Sequence, residues 1–132
     1  AALLHPGRDV MIIASGYCVS EALTAMEMLR QEGIEAGVTD MFTWKPLDAD
    51  AVLAAAADCG AIVTAENHNV INGLGSAVAE VLVQNCPVPV EMVGVKDEFG
   101  EVGPVSYLRE RFGLTAESIA AAARRAIARK IK

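Results

Sequence analysis

Short apolar runs alternate along the chain with longer stretches in which apolar residues recur every three or four positions. The runs are bounded by glycine, proline or polar residues, which is typical of buried strands. They occupy positions 10–15, 35–42, 61–66 and 90–95. After the first run, Val19, Leu23, Met26 and Leu29 recur at helical spacing and Gly33 follows them, which predicts a helix that ends near Gly33.

Four further helices are predicted from their start and stop signals. Pro46 interrupts the chain, and Asp48 or Asp50 can cap a short alanine-rich helix that ends near 59–60. The segment from Gly73 begins the next helix, which the prolines at 87 and 89 end. A short helix near 105–112 precedes a long one for which Thr115 is the predicted N-cap.

This alternation of apolar strands and helices indicates a mostly parallel sheet with helices on both faces. The length of 132 residues predicts a single domain spanning 1–132. In such sheets ligands bind outside the carboxyl ends of the strands. Any site is therefore expected among 15–16, 41–44, 66–68 and 96–99.

Composition and charge exclude several classes of function. The formal net charge of −6 and a pI near 4.8 argue against a nucleic-acid partner. No apolar stretch reaches the roughly 18 residues that a membrane helix needs. The three cysteines are scattered and form no CxxC pair, so we expect reduced thiols and a cytoplasmic protein. The basic residues near the C-terminus suit the end of a terminal helix.

The sequence Gly73-Leu74-Gly75-Ser76 at a predicted helix start offers backbone N–H groups to an anion. The dinucleotide fingerprint nevertheless needs a third glycine where this chain has Val78, and the P-loop lysine is also missing. Two interpretations remain open. The glycines either let the helix start pack closely against a neighbouring backbone, which we favour, or they bind an anion or small effector.

Glu66 and His68 form a second candidate, since a carboxylate beside an imidazole can perform general acid–base chemistry. The alternative is a polar pair that closes a strand end or contacts a partner chain. No nucleophile motif and no set of metal ligands accompanies the pair. We therefore predict no catalytic, cofactor-binding or metal-binding residue in this chain.

Two other stretches follow predicted strands. Met41, Phe42 and Trp44 either cover the local core or contact another domain or subunit. The acidic residues of 95–103 lack EF-hand spacing, and we interpret that stretch as a solvated loop rather than a cation site.

Five motifs occur along the chain in one order. They are KPLD at 45–48, IVTAENH at 62–68, GLGSAVAE at 73–80, PVPVEMVGVKDEFGE at 87–101 and GLTAESI at 113–119. Together they resemble the C-terminal domain of transketolase, especially the separately encoded C-terminal subunit of split bacterial and archaeal transketolases. Deoxyxylulose-phosphate synthases and the beta subunits of 2-oxoacid dehydrogenases look similar over the same region. Asn72 and Val102 stand where the family usually has glycine and serine.

The resemblance implies a three-layer α/β/α sandwich with a five-stranded, mostly parallel sheet. One edge strand would be antiparallel, and residues 1–4 would belong to it. The intact enzymes use thiamine diphosphate and Mg²⁺ or another divalent metal, both bound by the preceding domains, to transfer two-carbon ketol units between sugar phosphates in the pentose phosphate pathway. The implied partners are the N-terminal transketolase domains or subunit and a second copy in a homodimer.

The resemblance also implies the role of this domain. It would be non-catalytic alone, would support dimer formation and assembly, and would have a possible effector or interface site at Glu66, His68, Gly73, Gly75 and Ser76. Two further hypotheses stay open from the residues themselves. One is a stand-alone module that binds a small anion, and the other is an independent small enzyme that uses Glu66 and His68.

Overall fold

The computed structural model describes residues 1–131, which form five strands and five helices. After the initial strand, strands and helices alternate until two consecutive helices follow the last strand. Their bounds are β1 Ala2–His5, β2 Val10–Ala14, α1 Cys18–Gln31, β3 Ala36–Asp40, α2 Ala49–Cys59, β4 Ile62–Asn69, α3 Leu74–Asn85, β5 Val90–Val95, α4 Val105–Arg111 and α5 Ala116–Ala128. Within this described range, no helix has both the length and the apolar character that crossing a membrane requires.

The five strands form one sheet in the order β1-β3-β2-β4-β5. β2 pairs in parallel with β3 on one side and with β4 on the other, and β4 pairs in parallel with β5. β1 is the exception, since it pairs antiparallel with β3. The expected five-stranded, mostly parallel sheet with one antiparallel edge strand is confirmed.

Helices cover both faces of the sheet and create two hydrophobic cores. On one face, α1 and α5 pack over β2, with Ile12, Leu29 and Ile119 fully buried between the layers. On the other face, α2 and α3 enclose Ile13, Val52 and Leu82. Successive residues of β2 therefore point into different cores, which explains why this central strand is apolar at every position.

The predicted helix ends are formed by local hydrogen bonds. The side chain of Asp48 accepts the backbone N–H of Ala51 at 3.0 Å and caps α2, whose other end is Gly60 with a φ of 68°. Thr115 caps α5 by accepting the N–H of Ser118 at 3.2 Å. Of the two cap residues proposed for α2, the structure selects Asp48.

Two strands differ from their predicted bounds. β3 ends at Asp40, so Met41 and Phe42 lie in the loop after it. β4 continues to Asn69, three residues beyond the apolar run, because its register against β5 shifts after Ala65 and Asn69 then pairs with Val95. His68 consequently belongs to the strand, as Glu66 does, rather than to a loop after it.

Candidate functional site

The neighbouring strands β2 and β4 lead into helices on opposite faces of the sheet. α1 follows β2 on one face, whereas α3 follows β4 on the other. In doubly wound sheets such a switch point opens a crevice at the carboxyl ends of the strands, where ligands bind. Here the crevice is an open groove of about 420 Å³ lined by Ser15, Gly16, Tyr17, Phe42, Trp44 and Asn67.

Glu66 is the most deeply buried charged side chain beside this groove, with no exposed surface. Its carboxylate accepts the backbone N–H of Leu74 at 2.7 Å and that of Gly75 at 2.9 Å. These donors belong to the first turn of α3, where the helix dipole favours a negative charge. The carboxylate of Glu66 therefore occupies the position at the helix start that a bound anion would take.

The two glycines allow this close approach. A Cβ added to Gly73 would lie 2.1 Å from a carboxylate oxygen of Glu66, and one added to Gly75 would lie 2.8 Å from the hydroxyl oxygen of Thr64. Both distances are too short for any larger residue without rearrangement. The geometry thus gives the two glycines a packing role at the start of α3.

His68 lies on the solvent side of Glu66, with 48% of its side chain exposed. Its Nδ1 atom is 3.6 Å from the nearer carboxylate oxygen of Glu66 and 2.6 Å from the carbonyl oxygen of Asn69. The imidazole also meets the ring of Trp44 edge-on, at 5.5 Å between centroids. The structure therefore brings the Glu66–His68 pair and Trp44 into one cluster.

Ser76 closes the loop that connects β4 to α3. Its hydroxyl donates to the carbonyl oxygen of Val70 at 3.0 Å and accepts the N–H of Asn72 at 2.9 Å. Asn72 has a φ of 62°, a left-handed conformation that asparagine tolerates better than most residues other than glycine. This explains how asparagine can stand at a position where the family usually has glycine.

The three residues after β3 differ in exposure. Met41 is buried in the core formed with α2 and α3. Trp44 is half-buried against the same core, and Phe42 is 66% exposed. Of these three side chains, Phe42 and Trp44 are therefore available for contact with another domain or subunit, whereas Met41 is not.

Arginine pairs with the acidic residues of the loop after β5. Arg111 contacts Glu98 at 3.1 Å and Glu101 at 2.6 Å, and Asp97 accepts a hydrogen bond from Asn69 at 3.4 Å. Among residues 1–131, no group of three or more histidine, cysteine, aspartate or glutamate side chains is arranged to hold a metal ion.

Glu21 is a second internal carboxylate, and the sequence patterns did not predict its role. Glu21 accepts the N–H of Ala116 at the start of α5 and binds Arg109 of α4, both at 2.9 Å. Tyr17 also accepts a hydrogen bond from Arg109. No local pattern signals these contacts, since the partners of Glu21 lie 88 and 95 residues away along the chain.

A family model for the C-terminal domain of transketolase matches residues 1–119. The chain belongs to the transketolase C-terminal domain family. The predicted resemblance is thereby confirmed, and all five motifs that indicated it lie within the matched residues.

Individual proteins similar to this transketolase C-terminal domain support the same assignment. The 6-deoxy-6-sulfo-D-fructose transketolase subunit SqwH of Clostridium sp. (strain MSTE9) is 55% identical over 130 residues, which are 98% of this chain and 40% of that protein. The 1-deoxy-D-xylulose-5-phosphate synthase of Heliobacterium modesticaldum is 42% identical over 92% of this chain and 19% of its own length.

A solved structure also matches this transketolase C-terminal domain along nearly its whole length. It is a split-gene transketolase described as an inactive beta4 tetramer, with a TM-score of 0.95 and 48% identity over 98% of this chain and 43% of that one. The chain thus spans about two fifths of the transketolase subunits that it matches.

Proposed function

We propose that this chain is the C-terminal domain of a thiamine-diphosphate-dependent transketolase and that it stabilises the assembled enzyme without catalysing by itself. The whole enzyme would transfer two-carbon ketol units between sugar phosphates. The family membership supports this proposal, as does the similarity to a subunit of a split transketolase.

The observation that carries the non-catalytic role is the position of Glu66. The carboxylate that the sequence offers for acid–base chemistry is buried and accepts two N–H groups from α3. A carboxylate held in this way stabilises a helix start and lies out of reach of a substrate in the groove. The structural role of Glu66 therefore favours an assembly domain over an independent enzyme.

The residues of the groove do not fit thiamine diphosphate with its divalent metal. The lining contains hydroxyl, amide and aromatic groups but no cationic side chain to bind a diphosphate. We therefore place the cofactor and its Mg²⁺ in the portion of the enzyme outside this chain.

The pathway, location and oligomeric state stay part of the proposal. One relative is named a 6-deoxy-6-sulfo-D-fructose transketolase subunit. Sugars outside the pentose phosphate pathway are therefore also candidate substrates of the whole enzyme. The homodimer and the cytoplasmic location remain predictions. The cytoplasmic proposal rests on the scattered cysteines of the sequence, which form no CxxC pair.

Effector binding at Glu66, His68, Gly73, Gly75 and Ser76 is a second candidate function. The partly exposed imidazole of His68, close to the start of α3, favours it. An anion on the N–H groups of Leu74 and Gly75 would have to displace the carboxylate of Glu66. Titration of the chain with inorganic phosphate and with a sugar phosphate, followed by amide NMR, should shift the signals of residues 73–76 if the site exists. Unchanged signals at millimolar ligand would eliminate it.

The main proposal is tested by transketolase assays on the purified chain. We expect no ketol transfer from the chain alone with thiamine diphosphate and Mg²⁺, and measurable transfer when the remaining portion of the enzyme is added. The remaining portion by itself is the control. Turnover by the chain alone would overturn the proposal, and so would full activity of the remaining portion in the absence of this chain.

A further inference from the structure

Large apolar side chains are exposed mainly at one end of the sheet. Six of them lie in the loops and the helix that follow the carboxyl ends of β3, β4 and β5, and we call them the apolar edge. They are Phe42, Ile71, Phe99, Val102, Val105 and Tyr107. At the opposite end, the turns before β2 and β3 carry polar and charged residues such as Arg8, Asp9 and Glu35, which bind one another.

The residues of the apolar edge contribute little to the domain's own core. Phe99 is 97% exposed, Val102 is fully exposed, and α4, which carries Val105 and Tyr107, contains no buried residue. Exposed aromatic and aliphatic side chains grouped in this way are typical of a surface that another protein covers.

Two neighbouring cavities lie along the same edge, and we refer to them together as the groove. The crevice between β2 and β4 shares Tyr17 and Asn67 with a second cavity of about 370 Å³. That second cavity extends to α4, where Val105, Leu108 and Phe112 are among its lining residues. Phe42 and Val105 of the apolar edge therefore line a groove that can receive side chains from a partner.

The two arginines of α4 are paired within the domain. Arg111 pairs with Glu98 and Glu101, and Arg109 pairs with Glu21. Because both arginines are already paired, we expect apolar contact and shape to contribute most to what binds in the groove.

The direction of β1 shows at which end of the sheet a preceding polypeptide would join the domain. Because β1 runs antiparallel to β3, Ala2 lies opposite Asp40, at the carboxyl end of that strand. Any polypeptide that precedes Ala1 therefore joins the domain at the same end of the sheet as the apolar edge. The chain spans only 40% of the SqwH subunit, so such a polypeptide has ample length to form further domains.

We propose that the apolar edge and its groove are the surface on which the remaining, cofactor-binding portion of the same transketolase docks. This inference rests on the proposed function, since it takes the partner from the assignment to a longer transketolase. The inference adds to the proposed function the location of the contact surface. Phe42, Phe99 and Val105 would be the central apolar residues of that surface.

The first test is photo-crosslinking in the intact enzyme. The photoreactive amino acid p-benzoylphenylalanine is placed at position 99, where the native side chain is 97% exposed, and at position 83 as a control. Val83 is 70% exposed in the last turn of α3, at the other end of the sheet. We expect position 99 to crosslink to peptides from outside this chain, with at least five times the yield of position 83.

Other crosslinking results would overturn the inference. Crosslinks from position 99 to residues of a second copy of this chain would make the apolar edge a homo-oligomer contact instead. A yield at position 99 no higher than at position 83 would mean that the edge is uncovered. If the activity assay succeeds while either result is obtained, the docking inference fails and the proposed function stands.

The second test compares two valines of nearly equal exposure. Val105 is 69% exposed on the apolar edge and Val83 is 70% exposed away from it, so Val105→Gln and Val83→Gln should affect folding of the domain similarly. In the intact enzyme we expect Val105→Gln combined with Phe42→Ser to lower the crosslinking yield from position 99 at least fivefold. Val83→Gln should change that yield less than twofold. If the Val105→Gln/Phe42→Ser variant and the Val83→Gln variant change the crosslinking yield equally, and their circular dichroism spectra are unchanged, docking at this edge is contradicted.

Discussion

Replacing Glu66 by glutamine tests whether an internal carboxylate stabilises the start of α3. The side chain has no exposed surface, and each of its two oxygens accepts one backbone N–H, from Leu74 and from Gly75. Glutamine has the same shape but only one acceptor oxygen, and its NH₂ group would face the second N–H. Glu66→Gln therefore removes the charge and leaves one buried donor without an acceptor.

The expected loss of stability follows from these contacts. An unsatisfied buried donor costs about 1–3 kcal/mol. Loss of the favourable interaction with the helix dipole adds about 0.3–1 kcal/mol. Relief from burying a charge offsets part of this cost. We expect a net loss of about 2 kcal/mol, which lowers the melting temperature of a domain of this size by about 7 °C.

Urea unfolding followed by circular dichroism at 222 nm measures this loss as a lower midpoint with an unchanged slope. The matched control is Glu80→Gln, an exposed position on the same helix, for which we expect a change below about 0.5 kcal/mol. If Glu66→Gln unfolds within 0.5 kcal/mol of the wild type, the reasoning about the buried carboxylate is wrong.

Two further predictions concern packing and thiol reactivity. Gly73→Ala should destabilise the domain by about 1–3 kcal/mol in the same urea assay, because the new Cβ would overlap a carboxylate of Glu66. Gly100→Ala, where a Cβ would meet no atom within 4 Å, is its control, and equal effects would refute the packing role. Burial raises the pKa of Cys18 and of Cys59 to about 11. At pH 8 a disulfide reagent should therefore modify only the half-buried Cys86 in the folded chain. In urea, where the chain is unfolded, the reagent should modify all three thiols. Since unfolded thiols lose their protons near pH 9, stability should fall as the pH rises from 9 to 11, and a flat profile would contradict the raised pKa values.

The sequence by itself determined the local structure and the family. Apolar runs at 10–15 and 61–66 located the central strands. The sequence also predicted Thr115 as one helix cap and narrowed another to Asp48 or Asp50, of which the structure contains Asp48. These features are readable because side-chain periodicity and capping act between residues close together along the chain. The end of β4 was misjudged, since Asn67 to Asn69 are polar and join the strand only through pairing with β5.

Only the tertiary structure decided how distant residues meet. The strand order places β4 beside β2, and this lets a groove form between Tyr17, Phe42 and Asn67. It also turns Glu66 toward α3, so that a residue that appeared in the sequence as a candidate for catalysis acts as a helix cap. Pairing of strands and packing of helices depend on contacts between residues far apart along the chain, about which hydrophobic periodicity carries no information.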